Sequence, residues 1–269
     1  GVWKSALKNN ILQMRGNRVE IVRYKRDVWG DEVILGVSWD LLWVVAVAIL
    51  VLLAAHAIFM AALAKKKAKP SAAGPKVHRH DAIDRAFHWI MAGSVLVLIA
   101  TGVMPIIGIR FAWLDIHWIA GLLLTFVVIF HIIRASFWQD FKSMIMTPSD
   151  FGEPFDENRK PGKYSFEQKG MHWAMTLLVL LVIVTGVILF MNIRTPFWER
   201  PSVADEAQLG LMFLLHGLAT LALVAFTAIH IYFAVRPEKI FYTRSMVKGW
   251  ISEDEMRANH DTSKWKVKD

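Results

Sequence analysis

Cysteine is absent from the 269-residue sequence. That absence removes disulfides, iron-sulfur clusters, thiolate nucleophiles and covalently attached c-type haem, so any metal or redox chemistry must use other ligands. Charge is scarce too: 20% of the residues are Asp, Glu, Lys or Arg, against 55% hydrophobic. Such a composition excludes disorder, collagen, coiled coil and an ordinary water-soluble domain. The net charge of +8 does not point to nucleic acid. In so apolar a chain, Lys and Arg flanking membrane spans and facing lipid headgroups account for it. The chain opens on Gly1 rather than Met, as removal of an export segment or a cloning scar would each leave it.

What the sequence has in abundance is long uncharged or nearly uncharged runs. Five of them, residues 38–63, 87–109, 116–133, 170–193 and 207–235, are long enough to cross about 30 Å of hydrocarbon at about 1.5 Å per residue. They do not alternate as barrel strands do, and lipid tolerates only backbone that satisfies its own hydrogen bonds. The expected fold is therefore an all-α integral membrane protein. Trp39, Trp43, Trp113, Trp118, Trp138 and Trp198 fall near the run ends, as interfacial belts require.

Of the 31 Lys and Arg, 21 lie in residues 65–86, 134–169 and 236–269. An excess of positive charge marks the cytoplasmic side, so the N-terminus is expected outside and the C-terminus inside. The organisation read from this is an extracytoplasmic arm (1–37), an extra transmembrane helix (38–64), a basic Pro- and Gly-containing linker (65–86), a four-helix bundle (87–235) and a cytoplasmic tail (236–269). The arm, with Arg15, Arg18, Arg23, Lys25 and Arg26, suits a partner protein, headgroups or solvent equally. His56 shares its run with no second histidine and reads as a packing or interfacial residue.

The four-helix region is a duplication. Phe87-His88-Trp89 precedes Thr101-Gly102-Val103, and Met171-His172-Trp173 precedes Thr185-Gly186-Val187, with 13 residues from His to Thr in both. Each half continues into a helix with two histidines 14 apart, His117 and His131 in the first and His216 and His230 in the second. Fourteen residues are close to four turns, so each pair shares a helix face at depths roughly 21 Å apart. His117 and His216 belong to the outer leaflet; His88, His131, His172 and His230 belong to the inner one.

One intramembrane histidine is as readily a packing residue as a functional one, but six in register, each costing roughly a few kcal/mol in hydrocarbon, imply a common use. Haem ligation, transition-metal transport and a proton relay compete. Haem fits best: bis-imidazole ligation needs opposed histidines across a bundle core, with small residues nearby such as Gly93, Gly102, Gly121, Gly186 and Gly217. A metal transporter would add carboxylates, which the spans almost lack. Arg79, Arg85 and Lys169 lie near the inner interface, where haem propionates would need cations, although positive-inside topology explains them as well.

Asp84-Arg85-Ala86-Phe87-His88-Trp89, Gly162-Lys163-Tyr164, Gln168-Lys169, Val184-Thr185-Gly186-Val187-Ile188, Leu215-His216 and Ile229-His230-Ile231-Tyr232 resemble the cytochrome b (gamma) subunit of respiratory formate dehydrogenase. That subunit sits in a wider family with the cytochrome b subunits of nickel-iron hydrogenases. The resemblance covers residues 78–265, including Gly249-Trp250-Ile251-Ser252 and Trp265 in the tail. It implies a bundle in a bacterial or archaeal cytoplasmic membrane with two b haems, the outer held by His117 and His216 and the inner by His88 and His230. It further implies an iron-sulfur subunit as electron partner, a molybdenum or tungsten catalytic subunit beyond it, and menaquinone or ubiquinone reacting beside the inner haem. The alternatives are an anchor for a hydrogenase or sulfur-compound reductase, and a histidine-lined metal or proton transporter.

Three departures from the family pattern stand out. Residues 1–75 lie outside it. The loop that commonly reads GKYNAGQK is here GKYSFEQK, so the quinone-loop candidates are Ser165 and Gln168, with Glu167 in place of a glycine; a solvated loop feeding a helix N-terminus is the preferred reading for Ser165 and Glu167. His131 and His172 are no ligands in the family. The repeat makes them mates of His230 and His88. Propionate hydrogen bonding or a proton path to quinone ranks ahead of a third haem for them, since two macrocycles at one depth would splay helices roughly 8–10 Å apart.

Overall fold

The computed structural model describes residues 21–26, 30–63, 70–139, 141–156, 159–197, 199 and 204–265. Trp198, Arg15 and Arg18 lie outside them. Five helices, α1 (Trp39–Leu63), α2 (Ala82–Val103), α3 (Trp113–Phe137), α4 (Phe166–Phe190) and α5 (Glu206–Val235), are long and apolar enough to span a membrane. Their outer faces expose large apolar side chains, among them Leu50, Phe126, Leu177 and Val184, which suits hydrocarbon as the surrounding solvent.

The helix ends follow local chemistry more than hydropathy. The second run is expected to continue to residue 109, but α2 stops at Val103; Met104 keeps helical dihedrals, and the ladder ends at Pro105, which has no N–H to donate. The chain closes instead in a turn, with Ile109 N donating to Met104 O at 3.0 Å. At the surface where positive charge is concentrated, termed inner on that ground, α2 and α4 begin several residues before the apolar runs, at Ala82 and Phe166. Their first turns carry Asp84, Arg85, Glu167 and Lys169, so they are helical yet polar, as an interfacial turn should be.

α2 packs closely on α3, and α4 on α5, as two helical hairpins that meet each other along a sparser seam. Between them lies an apolar layer of Val95, Leu124, Val128, Val182, Ala219 and Leu223. Leu124 is seven residues from both His117 and His131, and Leu223 seven from both His216 and His230, so this layer sits midway between the two histidine levels. α1 lies along α5, where His56 Nδ1 is 2.9 Å from Tyr232 Oη and 3.2 Å from Arg236 Nη1, the interfacial packing role expected of it.

Two small sheets were not foreseen. β1 (Val22–Arg26) and β2 (Glu32–Val37) form an antiparallel hairpin, and β2 lies against α5. Its approach depends on missing side chains: a Cβ on Gly210 would stand 2.2 Å from Ile34 O, and one on Gly217 2.6 Å from Val37 Cγ2. Gly217 therefore makes room for the hairpin and not for a macrocycle. At the other surface β3 (Lys76–His78) pairs antiparallel with β4 (Trp250–Ser252). Between β4 and the end of α5 runs α6 (Ile240–Lys248), and α7 (Glu253–Asn259) follows. The tail is thereby tied to the end of the linker.

Gly210→Ala should detach the hairpin while leaving the bundle folded. Hydrogen exchange of residues 22–26 and 32–37 is expected to lose its protection with α2–α5 unchanged, and strands as protected as in the parent would contradict this packing.

Candidate functional site

At the outer level, His117 on α3 faces His216 on α5 with ring centroids 6.3 Å apart and planes at 69°. Each ring is gripped by its own half of the repeat. His117 Nδ1 is 2.8 Å from Thr101 Oγ1, and His216 Nδ1 is 2.9 Å from Thr185 Oγ1. Both threonines donate their hydroxyl proton one turn back, to Val97 O and Leu181 O at 2.7 Å. Their oxygens can then accept from Nδ1–H, the tautomer that leaves Nε2 of each ring unprotonated and able to ligate. The glycine after each threonine faces its ring: a Cβ at Gly186 would crowd His216 Cε1 at 3.3 Å, whereas one at Gly102 would meet His117 Cε1 in ordinary contact at 3.9 Å. The Thr-Gly pairs seen as repeat markers are the supports of these rings.

The inner level holds two pairs. His88 on α2 and His230 on α5 stand 6.4 Å apart at 56°, and His131 on α3 and His172 on α4 stand 6.2 Å apart at 81°. Phe87 stacks on His131 at 4.5 Å. Nδ1 of His88 and Nδ1 of His131 are buried with no hydrogen-bond partner. All six histidines of the repeat are brought together, two by two.

Beneath the inner pairs the helix starts are stitched to carbonyls. Asp84 accepts from Arg134 Nε at 2.8 Å and Gln139 Nε2 at 2.7 Å. Arg85 donates to Val247 O, and Trp89 Nε1 to Met246 O at 3.0 Å. The second half does the same with Lys169 Nζ to Ile145 O at 3.2 Å and Trp173 Nε1 to Met144 O at 3.0 Å. The duplication therefore reaches Lys142-Ser143-Met144 and Arg244-Ser245-Met246, a match that reading the histidines alone passes over.

Three inner candidates acquire definite roles. Lys169 is buried in an ion pair with Asp150 at 2.9 Å, so it holds the loop and does not wait for a propionate. Burial pushes the Asp150 carboxyl up, but hydrogen bonds from Lys169 and Thr147, together with the Lys169 charge, carry it below the usual carboxylate range. Ser165 and Gln168 form the capping box of α4, with Gln168 N donating to Ser165 Oγ and Ser165 N to Gln168 Oε1. The N-cap reading of Ser165 is what is seen, although Ser165 is buried and not solvated. Arg85 keeps one buried nitrogen, Nε, without a partner.

Arg79 is the hub of the inner cap. It is buried, donates from Nη2 to Lys163 O at 2.7 Å and from Nη1 to His260 Nε2 at 3.2 Å, and lies over the rings of Tyr164, Tyr242 and Trp265. His260 Nδ1 donates to Gly162 O at 2.6 Å. Burial, with the Arg79 charge next, lowers His260 to about 4, and burial raises Tyr242 to about 12. His80 is lowered to about 2, first by burial and then by Arg79 and Lys163. The surroundings of His80, beside His88, are cationic and suit anionic carboxylates.

Three pairs at 6.2, 6.3 and 6.4 Å can be tested against the groups that might join them. Two imidazoles bound from opposite sides of one metal, with bonds of about 2.0–2.1 Å and about 1.1 Å from nitrogen to ring centre, would have centroids about 6.2–6.4 Å apart; a tetrahedral ion would draw them to about 5 Å. No cluster of three or more His, Cys, Asp or Glu occurs among the described residues. The pairs fit an iron with axial ligands on opposite faces better than a bare ion.

Residues 79–249 match the sequence profile of the prokaryotic cytochrome b561 family. The chain belongs to that family. It is also similar to the formate dehydrogenase cytochrome b556(fdo) subunit of Escherichia coli K12, 24% identical over 202 residues that span 68% of this chain and 89% of the relative. The formate dehydrogenase cytochrome b556 subunit of Haemophilus influenzae is 24% identical over 203 residues, spanning 69% and 81%. The cytochrome is thus a multi-pass membrane protein of a haem b family, and the formate dehydrogenase resemblance of its motifs is borne out.

The fold keeps His260 neutral, so its stabilising contribution is whole above pH 6.5 and is lost as pH falls toward 4, by at most about 3 kcal/mol. Hydrogen-exchange protection factors of residues 240–265 should fall over that window and do so far less in His260→Gln; an equal fall in both would refute the assignment.

Proposed function

We propose that the cytochrome carries two haem b groups, the outer held by His117 and His216 and the inner by His88 and His230, and passes electrons between an iron-sulfur partner and membrane quinone. The observation that carries this reading is the recurrence of one ring spacing at two depths in a chain of a cytochrome b family. Haem supplies reversible one-electron chemistry when bound, its potential tuned by axial ligands, hydrogen bonding and burial. The chain's own residues orient and hold. Thr101 and Thr185 fix the outer tautomers, and Arg85 and Arg79 offer cationic charge at the inner surface.

The apolar layer around Leu124 and Leu223 favours electrons over ions as the cargo. An electron crosses packed hydrocarbon by tunnelling, whereas a proton or metal ion needs a polar path. The relatives are formate dehydrogenase subunits. By that likeness the partners are an iron-sulfur subunit and a molybdenum or tungsten catalytic subunit; a chain with no cysteine cannot supply the clusters itself. Menaquinone or ubiquinone would react at the inner level. In support, an apolar groove of about 330 Å³ lies between α2 and α3, lined by Ile83, Phe87, Ile90, Phe126 and Phe130. The Lys and Arg distribution supports an outside N-terminus and a cytoplasmic C-terminus.

The reduced-minus-oxidised spectrum of the purified complex tests the reading. b-type bands are expected, and His230→Ala should remove an inner component while leaving the outer one; absence of b bands, or loss confined to the outer component, would overturn it. A quinone-analogue inhibitor should block haem reduction by quinol, and indifference to it would remove the inner quinone site.

A further inference from the structure

We propose that His131 and His172 form a third bis-histidine haem b site, at the inner level opposite His88 and His230. This rests on reading the bundle as a bis-histidine cytochrome, and goes beyond the two haems of that reading.

The argument begins with the repeat. The two halves match at three levels: Thr101 on His117 and Thr185 on His216; Arg85 and Trp89 on the carbonyls of Val247 and Met246, and Lys169 and Trp173 on those of Ile145 and Met144; and His88 with His230 answered by His172 with His131. These correspondences define a pseudo-two-fold axis along the bundle. His117 and His216 are each other's counterparts, so the outer site lies on the axis and occurs once. His88 and His230 are counterparts of His172 and His131, so the inner site lies off the axis and occurs twice.

Geometry agrees. The 6.2 Å separation of His131 and His172 differs by only a tenth or two from 6.3 and 6.4 Å in the other pairs, and all lie within the range of about 6.2–6.4 Å for rings on opposite faces of one metal. The rings come from α3 and α4, one from each helical hairpin, across the sparser seam. Two macrocycles at one depth would lie on opposite sides of the axis, each between a different pair of helices. Phe87 stacks on the face of His131, which restrains the ring while leaving its edge clear.

Nδ1 of His131 is buried and meets no hydrogen-bond partner among the protein's own groups. The nearby carboxylate, Asp84, is already taken by Arg134 and Gln139. Each inner pair holds one such orphaned Nδ1, on His88 and on His131, so the two sites share this signature as well.

The test is haem stoichiometry by pyridine haemochrome, with a potentiometric titration, on the full chain purified with its partner subunits from cells supplied with haem precursor. Three haems per chain are expected. His131→Ala and His172→Ala should each hold two, losing one component and keeping those of the other pairs. Two haems in the parent, unchanged in both variants, would overturn the third site and leave the dihaem reading standing; none in the parent would overturn that reading itself. His131→Met covers the case in which an alanine variant fails to fold. A thioether can replace imidazole as axial ligand and raises the potential, so three haems with one component at higher potential support ligation. Two haems at unaltered potentials in that variant refute it.

Discussion

Everything in this molecule depends on pairs of imidazole rings held apart in hydrocarbon. With centroids 6.2–6.4 Å apart, the two rings of each pair leave between them about the space that one metal ion bound to both would fill. A strongly polar side chain in hydrocarbon costs roughly a few kcal/mol, and six imidazoles would be a severe burden on a membrane bundle. Metal ligation reverses the sign of that burden, because the free energy of binding becomes free energy of folding. The details of the fold then become intelligible as means of holding the gap open: threonines that take Nδ1–H, glycines that face the ring, and a phenylalanine stacked on one face.

The repeat turns this local constraint into a path. One hairpin cannot clasp anything alone, since every ring pair takes one histidine from each half. Association of the halves and formation of the sites are therefore a single event. The layer around Leu124, 1% exposed, separates the outer and inner levels by dry packing, which suits electron passage and opposes ion passage. At the inner surface, carbonyl stitching by Arg85, Trp89, Lys169 and Trp173 fixes the depth at which the helices start, and with it the height of the inner rings.

Much of this is legible in the sequence, and the reasons are physical. Spans are readable because hydrocarbon enforces length and composition, and the histidines because ionisable side chains there are rare. The 14-residue spacing gives the levels, since a helix has one periodicity. Contacts between distant polar residues leave no such trace. Lys169 looks like a surface cation until Asp150, 19 residues away, is seen to bury it. Ser165 reads as the start of a helix and does cap one, but its burial depends on neighbours that the local sequence does not reveal. The hairpin at residues 22–37 carries mixed charge and no clean alternation, and its place is set by two absences on α5, Gly210 and Gly217. The end of α2 was the most accessible correction, since Pro105 announces it.

The most direct examination of the central claim is iron K-edge X-ray absorption of the purified cytochrome. Iron is expected in a six-nitrogen shell, with porphyrin and two axial imidazoles and no sulfur or carboxylate. A different metal in a tetrahedral shell, or purified protein free of iron, would contradict the idea that facing histidines from the two halves clasp haem.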